Sequence, residues 1–247
     1  MNWDIINKIR RFCRTSWLKS IYFNFTMLPF KQAIHLPVIM TKHTYFYSLP
    51  GKIVLKEKPR FAMARIGYLA EDIVAPKEAR NLLQIEGTWE LSGNVQLGVG
   101  TLLRIEKGAT LITENNVRIG ARAKIICYDK IHICEDSSIT WECQLIDTTF
   151  HYMKDLSNNS LLPITSPIKI GSHCWICNRS SIMKGTELPA YTIVASESLC
   201  NKKYDLPEYS LIAGSPAKFV KTGIYRCSFK EEDEIKTNIA KHKNISK

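Results

Sequence analysis

The stretch Ile170-Gly-Ser-His-Cys-Trp-Ile176-Cys-Asn-Arg-Ser-Ser-Ile182-Met-Lys-Gly-Thr-Glu-Leu188-Pro-Ala-Tyr-Thr-Ile-Val194 decides the fold of this chain. An aliphatic residue occupies every sixth position, and the residues between are mostly small or polar. A period of six fits neither an α-helix, which repeats every 3.6 residues, nor a long strand, which alternates every two. The spacing instead indicates a short strand followed by a turn, repeated several times.

Three such strand-and-turn units close a triangular coil. The aliphatic residue of each edge then points to the axis and stacks on its equivalents in the coils above and below. Each strand pairs with the strand of the next coil, so parallel sheets form without helical crossovers. A single coil is marginal alone and gains its core by stacking. The pattern therefore predicts an all-β domain built as a parallel β-helix.

The same spacing occurs earlier in the chain, although less regularly. Ile119, Ile125 and Ile131 form one series, and Ile133, Ile139 and Leu145 form another. The register slips by two between them, and similar slips occur at Leu103/Ile105 and Leu111/Thr113. Such slips are expected where one edge of a coil is longer. An ordinary antiparallel sheet would produce these regular sixes only by accident.

The net charge is concentrated at the amino terminus. The 247 residues carry a formal charge of +11, and residues 1–60 hold 11 Lys and Arg against Asp4 and Glu57, which gives +9. Aromatic residues are interspersed with these cations. Such a segment could pack on its own domain with a solvated outer face, or lie on an anionic membrane surface. Charge alone does not distinguish polyanions, but we expect no nucleic-acid partner.

The pattern divides the chain into three parts. Residues 1–80 form a basic region of helices and short strands, residues 81–222 the β-helix, and residues 223–247 a carboxy-terminal helix and tail. We expect one or two amphipathic helices between Trp3 and Lys31, ending before Pro29, and a final helix from about Lys230 to His242. The eight cysteines are interpreted as reduced thiols, since no secretory signal or membrane-spanning stretch is evident and a cytoplasmic location is expected.

Four motifs resemble those of the hexapeptide-repeat acyltransferases, most closely the sugar and polysaccharide O-acetyltransferases. They cover about half of the chain, and their order and spacing agree with that family. They are Ile146-Asp-Thr-Thr-Phe-His151, Ile168-Lys-Ile-Gly-Ser-His-Cys-Trp-Ile176, Val194-Ala-Ser-Glu-Ser-Leu-Cys-Asn-Lys202 and Ala213-Gly-Ser-Pro-Ala-Lys218. The resemblance implies a left-handed β-helix, a homotrimer with active sites between subunits, and acetyl-CoA as co-substrate.

The resemblance makes His151 the candidate general base. Histidine titrates near neutral pH and can take a proton from an acceptor hydroxyl. His151 also opens the one long interruption of the repeats, Tyr152 to Pro167, and long loops in compact domains are often functional. Asp147 is the first candidate to orient its ring, and Asp155 the second. Asp129 matches, one position out of register, an acid that contacts acceptor hydroxyls in the family, and Asp155 is a further acceptor candidate.

A second group of residues matches positions that hold coenzyme A in the family. Trp175 occupies the tryptophan position on the cofactor side. The residues implied along the pantetheine arm and the phosphates are Asn178, Ser196, Asn201, Lys202, Lys218 and Lys221. The match is imperfect, because Cys177, Ala195 and Glu197 replace the usual glycines and Glu197 adds a negative charge near a phosphate-rich ligand.

The expected function is thus transfer of an acetyl group from acetyl-CoA to a sugar hydroxyl in capsule or lipopolysaccharide synthesis. The basic amino-terminal segment is expected to make peripheral contact with the inner face of the membrane. A non-catalytic β-helix scaffold and a metal-dependent hydratase on the same fold are the alternatives. We predict no metal, because His132, His151 and His173 include no close pair. Cys174-Trp-Ile-Cys177 lies inside the repeat, so Cys174 is expected to fill a small corner position and not to act in redox chemistry. The acceptor sugar is left open.

Overall fold

The computed structural model describes residues 12–69 and 74–245 of the chain. Two amino-terminal helices, α1 (Trp17–Met27) and α2 (Phe30–Ala33), flank Pro29, and α3 (Phe229–Ile245) follows the β-helix. The first helix ends before Pro29 and the last spans Lys230 to His242, as predicted. The expected helical pattern over Ile5, Ile6 and Ile9 lies outside the described residues.

Short strands make up the rest of the structure. The first twelve are β1 (Val38–Met40), β2 (Thr44–Ser48), β3 (Lys52–Leu55), β4 (Ala64–Leu69), β5 (Asn81–Ile85), β6 (Thr88–Leu91), β7 (Val95–Gly98), β8 (Leu102–Ile105), β9 (Thr110–Thr113), β10 (Val117–Ile119), β11 (Lys124–Cys127) and β12 (Lys130–Ile133). The others are β13 (Ser138–Ile139), β14 (Gln144–Ile146), β15 (Met153–Lys154), β16 (Leu161–Leu162), β17 (Ile168–Ile170), β18 (Trp175–Ile176), β19 (Ser181–Met183), β20 (Glu187–Leu188), β21 (Ile193–Val194), β22 (Leu199–Cys200), β23 (Ser210–Ala213) and β24 (Lys218–Thr222).

Three sheets form the faces of a triangular left-handed parallel β-helix. The first sheet has the order β1-β4-β7-β10-β13-β18-β21-β23-β24, the second β2-β5-β8-β11-β14-β19-β22, and the third β20-β17-β12-β9-β6-β3. Successive strands of the chain belong to successive sheets, and each pairs in parallel with the strand one coil away. The predicted fold class is confirmed.

The coil length explains the regular and irregular parts of the repeat. Ile176 pairs with Val194, eighteen residues later, which is three units of six. Ile119 pairs with Leu97 and with Ile139, at separations of 22 and 20 residues. Edges of four residues, such as β9 and β12, supply the extra length. The slips of two in the sequence therefore mark longer edges, as expected.

The core is a column of buried aliphatic side chains along the axis of the triangle. Ile125, Ile131 and Ile176 are among its fully buried members, and Trp89 is the largest. The Trp89 indole nitrogen donates a hydrogen bond to Thr113 Oγ1 (2.9 Å), so its polar atom is satisfied inside the core. Cys174 fills a buried corner position, as predicted from its place in the repeat.

Helix α1 packs against the amino-terminal end of the β-helix. Phe23 and Met27 join the core, and the buried Asn24 side chain donates to the Val38 carbonyl (2.6 Å) and accepts from the Val38 amide (3.1 Å). Asn24 thus satisfies backbone groups of the edge strand β1, which would otherwise be open to another chain. At the other end β24 runs antiparallel to β23 and ends the parallel stack. Both ends are capped, as stacked repeats require.

The β-helix begins earlier in the chain than the predicted boundary at residue 81. Strands β1 to β4 already belong to the three sheets, with Val38 paired to Ala64 and Ile53 paired to Trp89. The connections after β3 and after β4 are long, and Pro37, Pro50 and Pro59 lie directly before or between these strands, so the six-residue period is hidden in the sequence. Among the described residues, no helix is long and apolar enough to cross a bilayer.

Two neighbouring isoleucines test the stacked core. Ile125 is fully buried on β11, whereas Ile126 points outward and is half-buried. We predict that Ile125→Ala lowers the free energy of unfolding by about 2–5 kcal/mol, because a cavity opens between coils. Ile126→Ala removes the same atoms from the outer face and should cost about 1 kcal/mol or less. Equal losses in chemical denaturation of the two variants would contradict this packing.

Candidate active site

The predicted catalytic residues lie at one corner of the triangle, between the second and third sheets. We call it the arm corner; it is formed by residues 106–109, 128–129, 147–167, 184–186 and 201–203 in successive coils. Residues 148–167 leave the β-helix there as an arm that contains the antiparallel strands β15 and β16. The arm is inserted at a turn, so the coils on either side remain in register: Leu145 pairs with Ile182.

Hydrogen bonds fix the base of this arm. Thr148 and Thr165 form an antiparallel bridge, and the Thr149 amide donates to the Ile164 carbonyl (2.9 Å). Phe150 adopts a left-handed conformation (φ 60°), and its amide donates to Thr148 Oγ1 (3.0 Å). Hydrogen bonds of this kind, from a backbone amide to a threonine hydroxyl, stabilise a sharp bend where regular strand pairing is interrupted. The residue that follows this bend is His151.

The His151 side chain is exposed to solvent at the start of the arm. Its carbonyl accepts a hydrogen bond from Thr149 Oγ1 (3.1 Å), which fixes the backbone, while its ring makes no hydrogen bond within the described part of the chain. The adjacent Phe150 packs edge-on against Tyr128 of the previous coil, with ring centroids 5.6 Å apart. The Arg104 guanidinium lies 5.0 Å from the Tyr128 ring centroid. The imidazole is thus attached to a fixed backbone and is free to meet a ligand.

Asp147 lies close to His151 in sequence, but its carboxylate is bound elsewhere. It is fully buried and accepts hydrogen bonds from the amides of Tyr128 (2.7 Å) and Asp129 (2.9 Å). Burial raises the pKa of Asp147 above its ordinary value, and the two amide hydrogen bonds oppose that rise. Within the described residues its carboxylate makes no hydrogen bond to His151. In this structure it joins two coils at the base of the arm.

The other two acids differ in position. Asp129 is half-buried at the arm corner, where its backbone amide donates a hydrogen bond to the Asp147 carboxylate. Asp155 lies further out on the arm, where its Oδ1 accepts hydrogen bonds from the Ser157 amide (2.8 Å) and hydroxyl (2.6 Å). These bonds lower the pKa of Asp155. Asp129 therefore shares a corner with His151 and Asp147, whereas Asp155 caps a turn of the arm.

The predicted coenzyme-binding residues fall into three places. Asn178 and Ser196 stack in successive coils at the corner between the first and second sheets, where Ser196 Oγ donates to Asn178 Oδ1 (2.8 Å). Asn201 and Lys202 are exposed at the arm corner, and Lys202 Nζ lies 5.5 Å from the Tyr204 ring centroid. The remaining three, all on the first sheet, are Trp175, Lys218 and Lys221.

The departures from the family motifs have local compensations. Glu197, which replaces a glycine, lies 3.4 Å from the Arg179 guanidinium, so its charge is partly balanced. The pair is exposed and contributes little to stability.

Cys174 donates to the Pro189 carbonyl (3.1 Å), and burial raises the pKa of its thiol to about 12. A thiol in this state is a poor nucleophile near neutral pH, which agrees with a packing role.

A cleft of about 560 Å³ lies away from the arm corner, between the first sheet and the segment 225–231. Arg226 crosses its wall, donates to Ser138 Oγ (2.9 Å) and lies 5.5 Å from the Trp175 ring centroid. Arg118, His173 and Tyr191 also line it. The cleft contains none of the predicted catalytic residues.

Sequence reasoning missed the residues that shape the arm corner from neighbouring coils. Arg104 and Tyr128 support Phe150, and Lys184 donates to the Pro163 carbonyl at the far side of the arm. These contacts join residues about one coil apart. The sequence contains no signal for them until the length of each coil is known.

Titration of Asp147 provides a test of its burial. The folded state binds the Asp147 carboxyl proton more tightly than the unfolded chain does. The stabilisation from this proton is therefore complete below pH 3.8 and is lost as the pH rises through the folded-state pKa of Asp147. We predict that the free energy of unfolding of the wild type, measured relative to that of Asp147→Asn, is higher at about pH 4 than at about pH 7. Urea denaturation at both pH values measures this, and a constant difference would contradict the buried assignment.

No family model matches the chain. An uncharacterized 24.8 kDa protein in the cps region of Klebsiella pneumoniae is 33% identical over 138 residues, which are 56% of this chain and 60% of that protein. A probable acetyltransferase of Mycobacterium tuberculosis is 29% identical over 147 residues, which are 57% of this chain and 45% of that protein. The matches therefore span about half of each relative.

Among solved structures, the polysialic acid O-acetyltransferase OatWY superposes with a TM-score of 0.51. The superposition covers 75% of this chain and 91% of that chain, at 18% sequence identity. At this level of sequence identity, the superposition establishes a shared fold and no shared activity. The likeness of this chain to the hexapeptide-repeat acyltransferases, predicted from its four motifs, is thus confirmed by its left-handed β-helix and by its acetyltransferase relative.

Proposed function

We propose that this protein is an O-acetyltransferase that moves an acetyl group from acetyl-CoA to a sugar hydroxyl, with His151 as general base. The observation that carries the proposal is the exposed imidazole at the base of the arm, on a backbone fixed by Thr148 and Thr149. The acetyltransferase relative and the β-helix fold agree with this chemistry. The motifs point to capsule or lipopolysaccharide synthesis as its setting.

The reaction requires one proton to move twice. His151 takes the proton of the acceptor hydroxyl while the hydroxyl oxygen attacks the thioester carbonyl. The tetrahedral intermediate then collapses, the carbon–sulfur bond breaks, and the imidazolium returns the proton to the departing thiolate. A well-placed base contributes about 10²–10⁴-fold to such a step.

We assign Asp147 a positioning role in this reaction. Its carboxylate holds the Tyr128–Asp129 turn, and Tyr128 in turn packs against Phe150, next to His151. Direct orientation of the imidazole would require the carboxylate to leave two amide hydrogen bonds. Asp129, half-buried at the same corner, is the better placed acid to contact an acceptor hydroxyl, and Asp155 would do so only from the outer part of the arm.

Acetyl-CoA is the proposed co-substrate. Asn178 and Ser196 already form a polar pair along one corner, and they can offer amide and hydroxyl groups to the pantetheine arm. Exposed Lys202, next to Asn201 at the arm corner, and exposed Lys218 and Lys221, on the first sheet that also holds Trp175, supply positive charge for the phosphates. The acceptor is a free, nucleotide-linked or lipid-linked sugar.

A homotrimer would complete the site. The arm exposes several apolar side chains, including Tyr152, Leu161 and Leu156, the last of which is 92% exposed. An exposed apolar segment of this kind favours contact with another chain. We propose that a neighbouring copy covers it and brings its own coenzyme-binding residues toward His151.

Replacing His151 tests the catalytic proposal. We predict that His151→Ala lowers the rate of coenzyme A release with an active acceptor by about 10²–10⁴-fold, because the hydroxyl is no longer deprotonated. The matched control is His35→Ala, since His35 is an exposed histidine in the turn after α2. Free, nucleotide-linked and lipid-linked sugars should be compared as acceptors. Equal rates for wild type and His151→Ala would overturn the role of His151, and absence of transfer to every acceptor would favour the scaffold alternative.

The amino-terminal face supports contact with a membrane surface. Helix α1 exposes Leu18, which is 84% exposed, together with Tyr22 and Phe25, and Phe30 of α2 is exposed nearby. The charge of +9 over residues 1–60 complements anionic lipid headgroups. We propose that the protein works at the inner, cytoplasmic face of the membrane, where a lipid-linked acceptor would be accessible.

Vesicle flotation measures this contact. We predict that the protein floats with vesicles containing anionic lipid and that Leu18→Glu reduces the bound fraction, because the substitution removes an apolar contact and adds repulsion. Ile239→Glu, on helix α3, is the control for an exposed aliphatic residue that no proposed contact involves. Binding that does not depend on anionic lipid would count against the proposal.

A further inference from the structure

A second cluster of reactive side chains lies at the carboxyl ends of β9 and β12, in the middle of the third sheet and away from the arm corner. Glu114 follows β9, His132 lies on the outer face of β12, and Cys134 follows β12. Their ligand atoms all lie within 4.8 Å of one another. His132 Nε2 is 2.7 Å from Glu114 Oε1 and 3.7 Å from Cys134 Sγ. The cluster combines the three side-chain types that bind zinc in proteins.

The spacing of these atoms is close to that of a tetrahedral metal site. With metal–sulfur and metal–nitrogen bonds of about 2.3 and 2.0–2.1 Å, the sulfur and nitrogen atoms of such a site lie about 3.6 Å apart. The nitrogen and a carboxylate oxygen lie about 3.3 Å apart, so the His132–Glu114 contact would open by about 0.6 Å. A rotation of the half-buried Glu114 side chain would supply that change, while His132 is held by the sheet.

The surroundings favour a divalent cation. The second oxygen of Glu114 accepts a hydrogen bond from the Glu135 amide (3.1 Å), which leaves the first oxygen directed at His132. Partners of this kind orient metal-binding carboxylates. With Cys134 as thiolate, the cluster and the neighbouring Glu135 carry three negative charges. Lys169, which lies opposite His132 in the parallel register of β12 and β17, supplies one positive charge. His132 and Glu114 retain 24% and 35% of their side-chain exposure, so solvent can reach the site.

We propose that Glu114, His132 and Cys134 bind a zinc-class divalent ion, with the fourth position open to water. Binding replaces the Cys134 thiol proton and the hydrogen bond between His132 and Glu114 with bonds to the ion. This proposal departs from the sequence-based prediction of no metal, which considered only pairs of histidines, because two of the three ligands here are not histidine. It connects two adjacent coils and is independent of the acyl transfer proposed at His151.

Cobalt provides a direct probe, because a thiolate ligand gives Co²⁺ an intense near-ultraviolet charge-transfer band. We predict that the full-length protein without a metal-binding tag binds one Co²⁺ per chain with this band, and that Zn²⁺ displaces it. Cys134→Ser should lose the band, and Glu114→Gln should weaken Co²⁺ binding at least about tenfold. Glu114 is less buried than Cys134, so Glu114→Gln keeps the test valid if Cys134→Ser fails to fold, which circular dichroism will show.

The control is Cys13→Ser, which removes an exposed cysteine outside the cluster. It should keep both the band and the affinity for Co²⁺. The proposal is overturned if the wild type shows no thiolate band, if the band survives in Cys134→Ser, or if Glu114→Gln binds as tightly as the wild type.

Discussion

Stacking of aliphatic side chains along one axis is the interaction on which the rest of this structure depends. Each edge of a coil contributes an inward residue, such as Ile125 or Ile176, and the column they form is fully buried. A coil has no other substantial core, so its strands hold their positions because the coils above and below do the same. Helix α1 at one end and β24 at the other protect a stack that would otherwise present open strands.

This constraint determines where functional groups can be placed. The inner faces of the strands are occupied by the core. A corner can accept an insertion at lower cost, because the chain already turns there. The arm of residues 148–167 uses such a corner, and Leu145 and Ile182 still pair across it. His151 thereby combines an exposed ring with a rigid support. Asp147 contributes to that support by satisfying two amides of the preceding coil.

The sequence predicted the parts of the molecule that follow the six-residue period. Ile170 to Val194 revealed the coils, and the interruption after His151 revealed the arm. Short strands were expected before residue 81, but their place in the β-helix was missed, because prolines and the long connections after β3 and β4 hide the period. Contacts between coils could not be predicted either. The bonds of Asp147 to residues 128 and 129, and the proximity of Glu114 to His132, depend on coil lengths. These vary between 18 and 22 residues even in the coils without a long insertion.

We propose that acyl transfer occurs at the arm corner, beside His151, and a crystal structure of the protein with coenzyme A bound would show whether it does. We expect the coenzyme sulfur about 3–4 Å from a His151 imidazole nitrogen, in the same chain or a neighbouring copy, which is the reach needed for proton transfer. A coenzyme whose sulfur lies far from every His151, for example in the cleft under residues 225–231, would contradict it.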